Sequence, residues 1–234
     1  MNSDSYIKLR GPRLIICGNG IGNSQDIPPR TIDAIKHADI TVFESQRQAR
    51  QTLKAAGIHR DFIILSEHEE KTTLELVDQA FHSSKTVTLM SDQGMPGVED
   101  PGRSVIKRAY AAKIKIEIVP GPSSITCAVS ACPFPMTEYL ICGFLPQKST
   151  ERIKKIRELA QWKVPLVVLD TPYRLLNCLE DVARELPDRQ IFLALDIGQA
   201  SEEYHYGKTK LIISLPSIKK EDKNFILIID KNRN

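Results

Sequence analysis

The chain has 234 residues, 41% hydrophobic and 26% charged, with a formal net charge of +3 and a pI near 8.5. This length suits one large domain or two small ones, and the composition is that of an ordinary globular protein. The mildly basic balance permits a nucleic-acid partner but lacks the dense basic cluster that would argue for one.

The opening stretch "MNSDSYIKLRGPR" has no apolar core of the kind a signal peptide carries. No run approaches the roughly 20 apolar residues of a membrane helix. A soluble cytoplasmic protein without a membrane partner is expected. Short apolar runs then alternate with helical patterns. "RLIICG" (13–18), "ITVFE" (40–44), "FIIL" (62–65), "TVTLM" (86–90) and "IKIEIV" (114–119) read as strands, and 30–38, 45–56, 68–82 and 101–112 as helices. Asp100-Pro101 suits a helix start, with an N-cap oxygen followed by proline at the first position. Strand–helix alternation implies a parallel sheet covered on both faces.

"PGPSS" (120–124) interrupts this pattern. Beyond it, strands are expected at 139–144, 165–170, 191–197, 202–207 and 225–230, with a hairpin around 197–207. Helices are expected at 122–131, 149–161 and 173–185. The fold class is therefore α/β in two domains: a parallel-sheet domain over 1–119 and a mixed-sheet domain over 120–234, with a cleft between them. Cysteines 17, 127, 132, 142 and 178 are odd in number, lack CxxC spacing and mostly sit in apolar runs, as free thiols in a reducing compartment do. The five histidines are scattered, so no metal site is expected.

Several motifs fall just beyond strand ends, where ligands of α/β sheets collect. "CGNGIGN" places glycines 18, 20 and 22 after the first strand, but Asn23 occupies the sixth position of the dinucleotide fingerprint and Pro28-Pro29 delay the helix. A phosphate cradle is therefore doubtful. "SDQGMPGVEDPG" (91–102) follows the fourth strand; its acids fit a zwitterionic or cationic ligand better than a phosphate, although Asp92 and Asp100 can also be turn and cap residues. "VPGPSS" presents Ser123 and Ser124 at a helix start. "LDTPYR" and "ALDIGQ" put Asp170 and Asp196 at strand ends. The segment 147–163 carries Lys148, Arg152, Lys154, Lys155, Arg157 and Lys163 opposite an apolar face of Ile153, Ile156 and Ala160. Such a basic side is usually solvated, and it can instead contact phosphates.

Taken in order, the Gly-rich loop, "ESQR" (44–47), "SDQGMPGVEDPG", "VPGPSS", "GFLP" (143–146) and "DTPYR" (170–174) resemble the tetrapyrrole methylase superfamily of S-adenosylmethionine-dependent methyltransferases. Within it they look most like the branch that methylates ribose 2′-hydroxyls of 16S ribosomal RNA. The resemblance covers nearly the whole chain. It departs at Gly18-Asn19-Gly20, where the branch is proline-rich; at Ser45-Gln46, where "EDTR" loses an acid; and at Ala194–Gln199, where the branch has A-R-E-L-T-K. The branch often carries a C-terminal extension as well.

The resemblance implies an S-adenosyl-L-methionine cofactor, an rRNA or ribosomal-subunit substrate and a homodimer. It assigns cofactor binding to Gly20, Ser91, Asp92, Gly94, Pro96, Val98, Ser123, Ser124 and Gly143, with Leu195 and Ile212 as apolar contacts. Asp196, then Glu44 and Asp170, are the candidate general bases; Arg47 and Arg174 are candidates for holding substrate phosphates or carboxylates. Two other readings stand beside rRNA methylation: a methyltransferase acting on a tetrapyrrole or other small molecule, and a non-catalytic cofactor-binding module.

Overall fold

A computed structural model describes residues 11–66, 70–219 and 223–231; the opening stretch 1–10 and the first two residues of the 68–82 helix lie outside these. The chain divides into two compact units, Met1–Ser123 and Ser124–Asn234.

The first unit is built on five strands: β1 (Arg13–Cys17), β2 (Ile40–Phe43), β3 (Ile63–Ile64), β4 (Thr86–Leu89) and β5 (Lys115–Val119). All pair in parallel, in the order β3-β2-β4-β1-β5. Four helices connect them: α1 (Pro29–His37), α2 (Gln46–Ala55), α3 (Glu70–His82) and α4 (Gly102–Ala111). Side chains of a strand point alternately to its two faces, so β1 feeds two cores. Leu14 and Ile16 pack with Leu74, Val77 and Phe81 of α3 and Val105 of α4. Ile15 and Cys17 pack with Ala34 and Ile35 of α1 and Ala49 and Leu53 of α2. The apolar run of β1 is thus buried on both sides, as a central parallel strand must be.

The second unit contains α5 (Ser124–Ala131), β6 (Leu140–Phe144), α6 (Ser149–Leu159), β7 (Leu166–Asp170), α7 (Leu175–Glu185), β8 (Gln190–Leu195), β9 (Glu203–Lys208), α8 (Thr209–Ile213) and β10 (Phe225–Ile229). Its sheet runs β6-β7-β10-β8-β9, with only β6–β7 parallel. The expected hairpin is β8–β9, in register from Gln190↔Lys208 to Leu195↔Glu203. Leu193, Leu195, Leu227 and Ile229 face α6 and α7; Phe192, Ala194, Ile226 and Ile228 face α5.

Three local outcomes differ from the sequence expectation. Pro172–Arg174 forms a 3₁₀ turn, so α7 begins at Leu175 and not at 173. Helix α8 was not expected, because "TKLII" is rich in β-branched residues; it is helical because that shape seats Ile212 in the core. In α6, Arg152 is buried, not on the solvated basic side. Its Nη2 lies 2.6 Å and its Nε 2.8 Å from Asp181 Oδ2, while Nη1 donates to Gln147 O at 2.8 Å. Ser149 Oγ also donates to Asp181, at 3.0 Å.

Asp181→Ala would leave the Arg152 guanidinium buried without its partner. Such a loss costs about 3–5 kcal/mol, against at most about 0.5 kcal/mol for the surface change Lys155→Ala. Urea unfolding followed by fluorescence of Trp162, the chain's one tryptophan, reads the difference directly.

Candidate functional site

Because sheet one is all parallel, the loops after β1, β2, β4 and β5 leave from the same edge. Backbone groups beyond the strand ends have no ladder partner and need other acceptors and donors. Gly18 N–H continues the ladder to Val119 O at 3.0 Å. A Cβ at Gly18 would lie 2.5 Å from Gly121 Cα, so only glycine lets the β1 and β5 loops pass this closely.

Asn19, 1% exposed, ties three segments together. Its backbone N–H donates to Gly94 O at 2.8 Å. Its side-chain amide reaches Asp92 O at 3.1 Å, Thr52 Oγ1 of α2 at 3.2 Å and Ser91 O at 3.3 Å. Its Oδ1 accepts the N–H of Gly20 at 2.9 Å. Asn19 was not among the expected site residues; its signal in the sequence is an amide side chain between two glycines at a buried strand end.

The β2 and β4 loops are joined reciprocally. Asp92 N–H donates to Glu44 Oε2, and Ser45 N–H donates to Asp92 Oδ1, both at 3.0 Å. Glu44 Oε1 and Asp92 Oδ2 make no hydrogen bond among the described residues. Burial pushes the Glu44 carboxyl up. The bond from Asp92 N–H opposes this, and the charges of Asp92 and Asp100 add to it. Ser45 caps α2 by accepting from Gln48 N–H, and Arg47 stands exposed in that helix's first turn.

Past Asp92 the loop takes positive φ at Gly94 (69°), Gly97 (102°) and Glu99 (57°). Asp100 secures the winding: Oδ2 accepts from Gly97 N–H at 2.6 Å and Oδ1 from Gly102 N–H at 2.8 Å. The second bond holds the start of α4, but the cap lies one residue later than expected: Pro101, at φ −72° and ψ −8°, is the N-cap residue and α4 begins at Gly102. Pro96 and Val98 ride on this loop, Val98 with 46% of its surface exposed.

In the second unit, Gly143 is buried at a register shift in β6. Asp170 ends β7 with a side chain of 0% exposure; Oδ1 contacts Arg174 Nη1 at 3.0 Å and accepts Thr171 N–H at 2.8 Å. Its Oδ2 is buried and unpartnered, and burial raises its pKa against the opposing Thr171 N–H and Arg174. Arg174, 9% exposed, spends Nη2 on Leu145 O and Pro146 O of "GFLP". Asp196 has φ 48°; Oδ1 accepts Asn224 N–H at 3.0 Å and Oδ2 accepts Ser201 Oγ–H at 2.8 Å. Leu195 and Ile212, at 0% and 3% exposure, lie in the core and offer no surface to a ligand. Ser123 and Ser124 are half-buried at the start of α5.

The model of the tetrapyrrole (corrin/porphyrin) methylases matches residues 13–211. The chain belongs to this family. Among similar proteins, the ribosomal RNA small subunit methyltransferase I of Thermotoga maritima is 30% identical over 202 residues, 86% of this chain and 90% of that one. Its namesake in Borrelia garinii is 32% identical over 83% and 87% of the two chains. That of Neisseria meningitidis serogroup B is 31% identical over 88% and 69%. Two solved structures share the methylase fold at low identity. Diphthine synthase has a TM-score of 0.73 at 14% identity, covering 94% and 90% of the two chains. The Thermus thermophilus uroporphyrin-III-C-methyltransferase has 0.62 at 18%, covering 95% of each.

In this methylase, then, the first unit gathers Gly20, Glu44, Ser91, Asp92 and Gly94 through direct hydrogen bonds centred on Asn19 and Asp92. Asp170, Arg174 and the "GFLP" carbonyls form a separate cluster in the second unit. The raised Glu44 pKa has a stability consequence. Folding favours protonated Glu44, so its contribution is full below the unfolded value of 4.5 and is lost as pH rises through the raised folded value. Glu44→Gln keeps an oxygen for Asp92 N–H without the charge. The variant should resist urea better than wild type at pH 7, with the gap closing below pH 4.5; a gap independent of pH would contradict this.

Proposed function

We propose that this chain transfers a methyl group from S-adenosyl-L-methionine to small-subunit ribosomal RNA, at a ribose 2′-hydroxyl. The observation that carries the reading is the joined carboxyl edge of the first sheet, where Asn19, Glu44 and Asp92 hold the Ser91–Gly102 loop in a wound form. Its chemistry suits this donor. The free oxygens of Glu44 and Asp92 can face a sulfonium or an ammonium, whereas a pyrophosphate would meet like charge. A 3₁₀ turn at Ser24–Asp26 and Pro28 also separate the Gly-rich loop from α1, so no helix N-terminus follows that loop directly.

Gly20, Ser91, Asp92, Gly94, Pro96 and Val98, with Ser123, Ser124 and Gly143, are the residues proposed to hold the donor. Bound, it supplies a methyl carbon on positively charged sulfur, so the C–S bond breaks as the C–O bond forms and no further activation of the methyl is needed. What remains for the chain is alignment and removal of the hydroxyl proton. Alignment alone can lower the barrier by about 7–11 kcal/mol. Of the acids expected to act as base, Glu44 is half-buried, keeps one oxygen without a hydrogen bond and has a raised pKa, which strengthens a proton acceptor, whereas the unpartnered oxygen of Asp170 is buried away from any ligand. Asp196 has both oxygens engaged. A cytoplasmic location is proposed with the rRNA substrate. A homodimer is proposed as well: Ile141 and Phe144 on edge strand β6 are 45% and 46% exposed. Sedimentation at a monomer mass would refute the dimer.

Tritiated donor incubated with unmodified small subunits should label the RNA and leave a panel of tetrapyrroles unlabelled; the reverse outcome sinks the rRNA reading. Asp92→Ala should weaken donor binding at least tenfold by calorimetry, about 1.4 kcal/mol. Unchanged affinity would remove the loop from the donor site.

A further inference from the structure

Among the helices that carry clustered cations, α2 and α6 differ in what those cations meet. On α6, Arg152 is buried against Asp181, Arg157 contacts Glu185 at 2.6 Å, and Lys148 and Lys155 each lie 3.6 Å from a glutamate of the same helix. Most of that charge is matched within the unit. Helix α2, "QRQARQTLKA", contains no acid. Its Arg47, Arg50 and Lys54 are exposed and make no ion pair or side-chain hydrogen bond among the described residues. Their i, i+3, i+7 spacing sets them along one face over about 10.5 Å of helix.

This stripe begins one turn from the Glu44–Asp92 junction and ends at a cavity of about 550 Å³. Arg50, Lys54 and His59 line the cavity together with the apolar side chains of Leu53, Ile58 and Phe62. Arg60 and Asp61 complete the rim. Arg60 is occupied in capping the end of α1: its guanidinium donates to the carbonyls of Ile35, of Ala38 at 2.8 Å and of Asp39 at 3.2 Å. Asp39 and Asp61 offset its charge, which leaves the cations Arg50 and Lys54 in excess.

Unmatched cations leading from a site edge to a pocket with an apolar wall suit a polyanion that also carries planar bases. Resting on the RNA-acceptor reading above, we propose that α2 is the track for a single-stranded segment of the substrate RNA. Its phosphates lie on Arg47, Arg50 and Lys54, and a nucleoside occupies the cavity beside Phe62. Each phosphate contact to a single strand contributes about 0.7 to the slope of log affinity against log salt.

The test is anisotropy with labelled single-stranded fragments of small-subunit rRNA across a salt series, with donor affinity measured alongside. Arg50→Gln/Lys54→Gln should flatten the slope by about 1.4 and weaken binding at least tenfold at low salt. Donor affinity should not change, because neither side chain belongs to the donor site. Lys148→Gln/Lys154→Gln/Lys155→Gln should keep the wild-type slope. An unaltered slope in the α2 variant, or a loss that appears in the α6 variant instead, overturns the proposal even if the wild type methylates RNA. A wild type that binds no RNA at any salt overturns both this proposal and the acceptor reading beneath it.

Discussion

The reciprocal bonds between Glu44-Ser45 and Asp92 are the constraint on which the candidate site depends. A parallel sheet satisfies its backbone only as far as its strands run. Each loop beyond that edge must find partners in another loop or in water. Here the loops find one another: a carboxylate accepts one backbone N–H in each direction, and Asn19 collects two carbonyls of the same segment. Partial burial at this junction raises the Glu44 pKa, and the nearby charge of Asp92 adds to it. A raised pKa makes Glu44 a costlier structural anion, so the loop junction and the proton affinity of this acid draw on one electrostatic feature.

The second unit solves a similar problem with arginines. Arg152 and Arg174 donate to the carbonyls of Leu145, Pro146 and Gln147, and each is balanced by an aspartate. Breaking such a pair strands a buried charge, which is why these arginines hold the "GFLP" segment and are poorly placed to leave it for a ligand. Asp170 keeps one oxygen without a partner even so.

The strand and helix order was legible in the sequence because it rests on periodicity, which survives without knowledge of partners. β1 reads as a buried run and lies between two helical layers; β8 and β9 read as a hairpin and pair as one. What was not legible depends on who meets whom. Arg152 looked solvated because its partner Asp181 is 29 residues away. Helix α8 was assigned no element in the sequence because its helicity comes from seating Ile212 in the core, not from propensity. In the site, "SDQGMPGVEDPG" announced an unusual backbone, and three positive φ angles account for that composition. Asn19 gave only the weaker signal of an amide between two glycines, because the carbonyls that it holds lie more than 70 residues away.

Asp196 shows how a resemblance and a structure can assign one residue differently. It stands where the rRNA branch has the acid of A-R-E-L-T-K, which made it the first candidate base. Its left-handed backbone, its bond from Asn224 N–H and its bond from Ser201 make it the corner of the β8–β9 connection. An acid kept for a corner does not require the arginine, threonine and lysine that flank it in relatives, and this chain lacks all three. If those groups carry substrate charge in relatives, this chain needs cations elsewhere to do so. The acid-free face of α2 supplies three of them with no ion pair among the described residues. On the RNA-track proposal, the departure at 194–199 and the unmatched charge at 47–54 belong together: the corner keeps its acid for shape, and the helix that starts beside Glu44 would take up recognition of the acceptor.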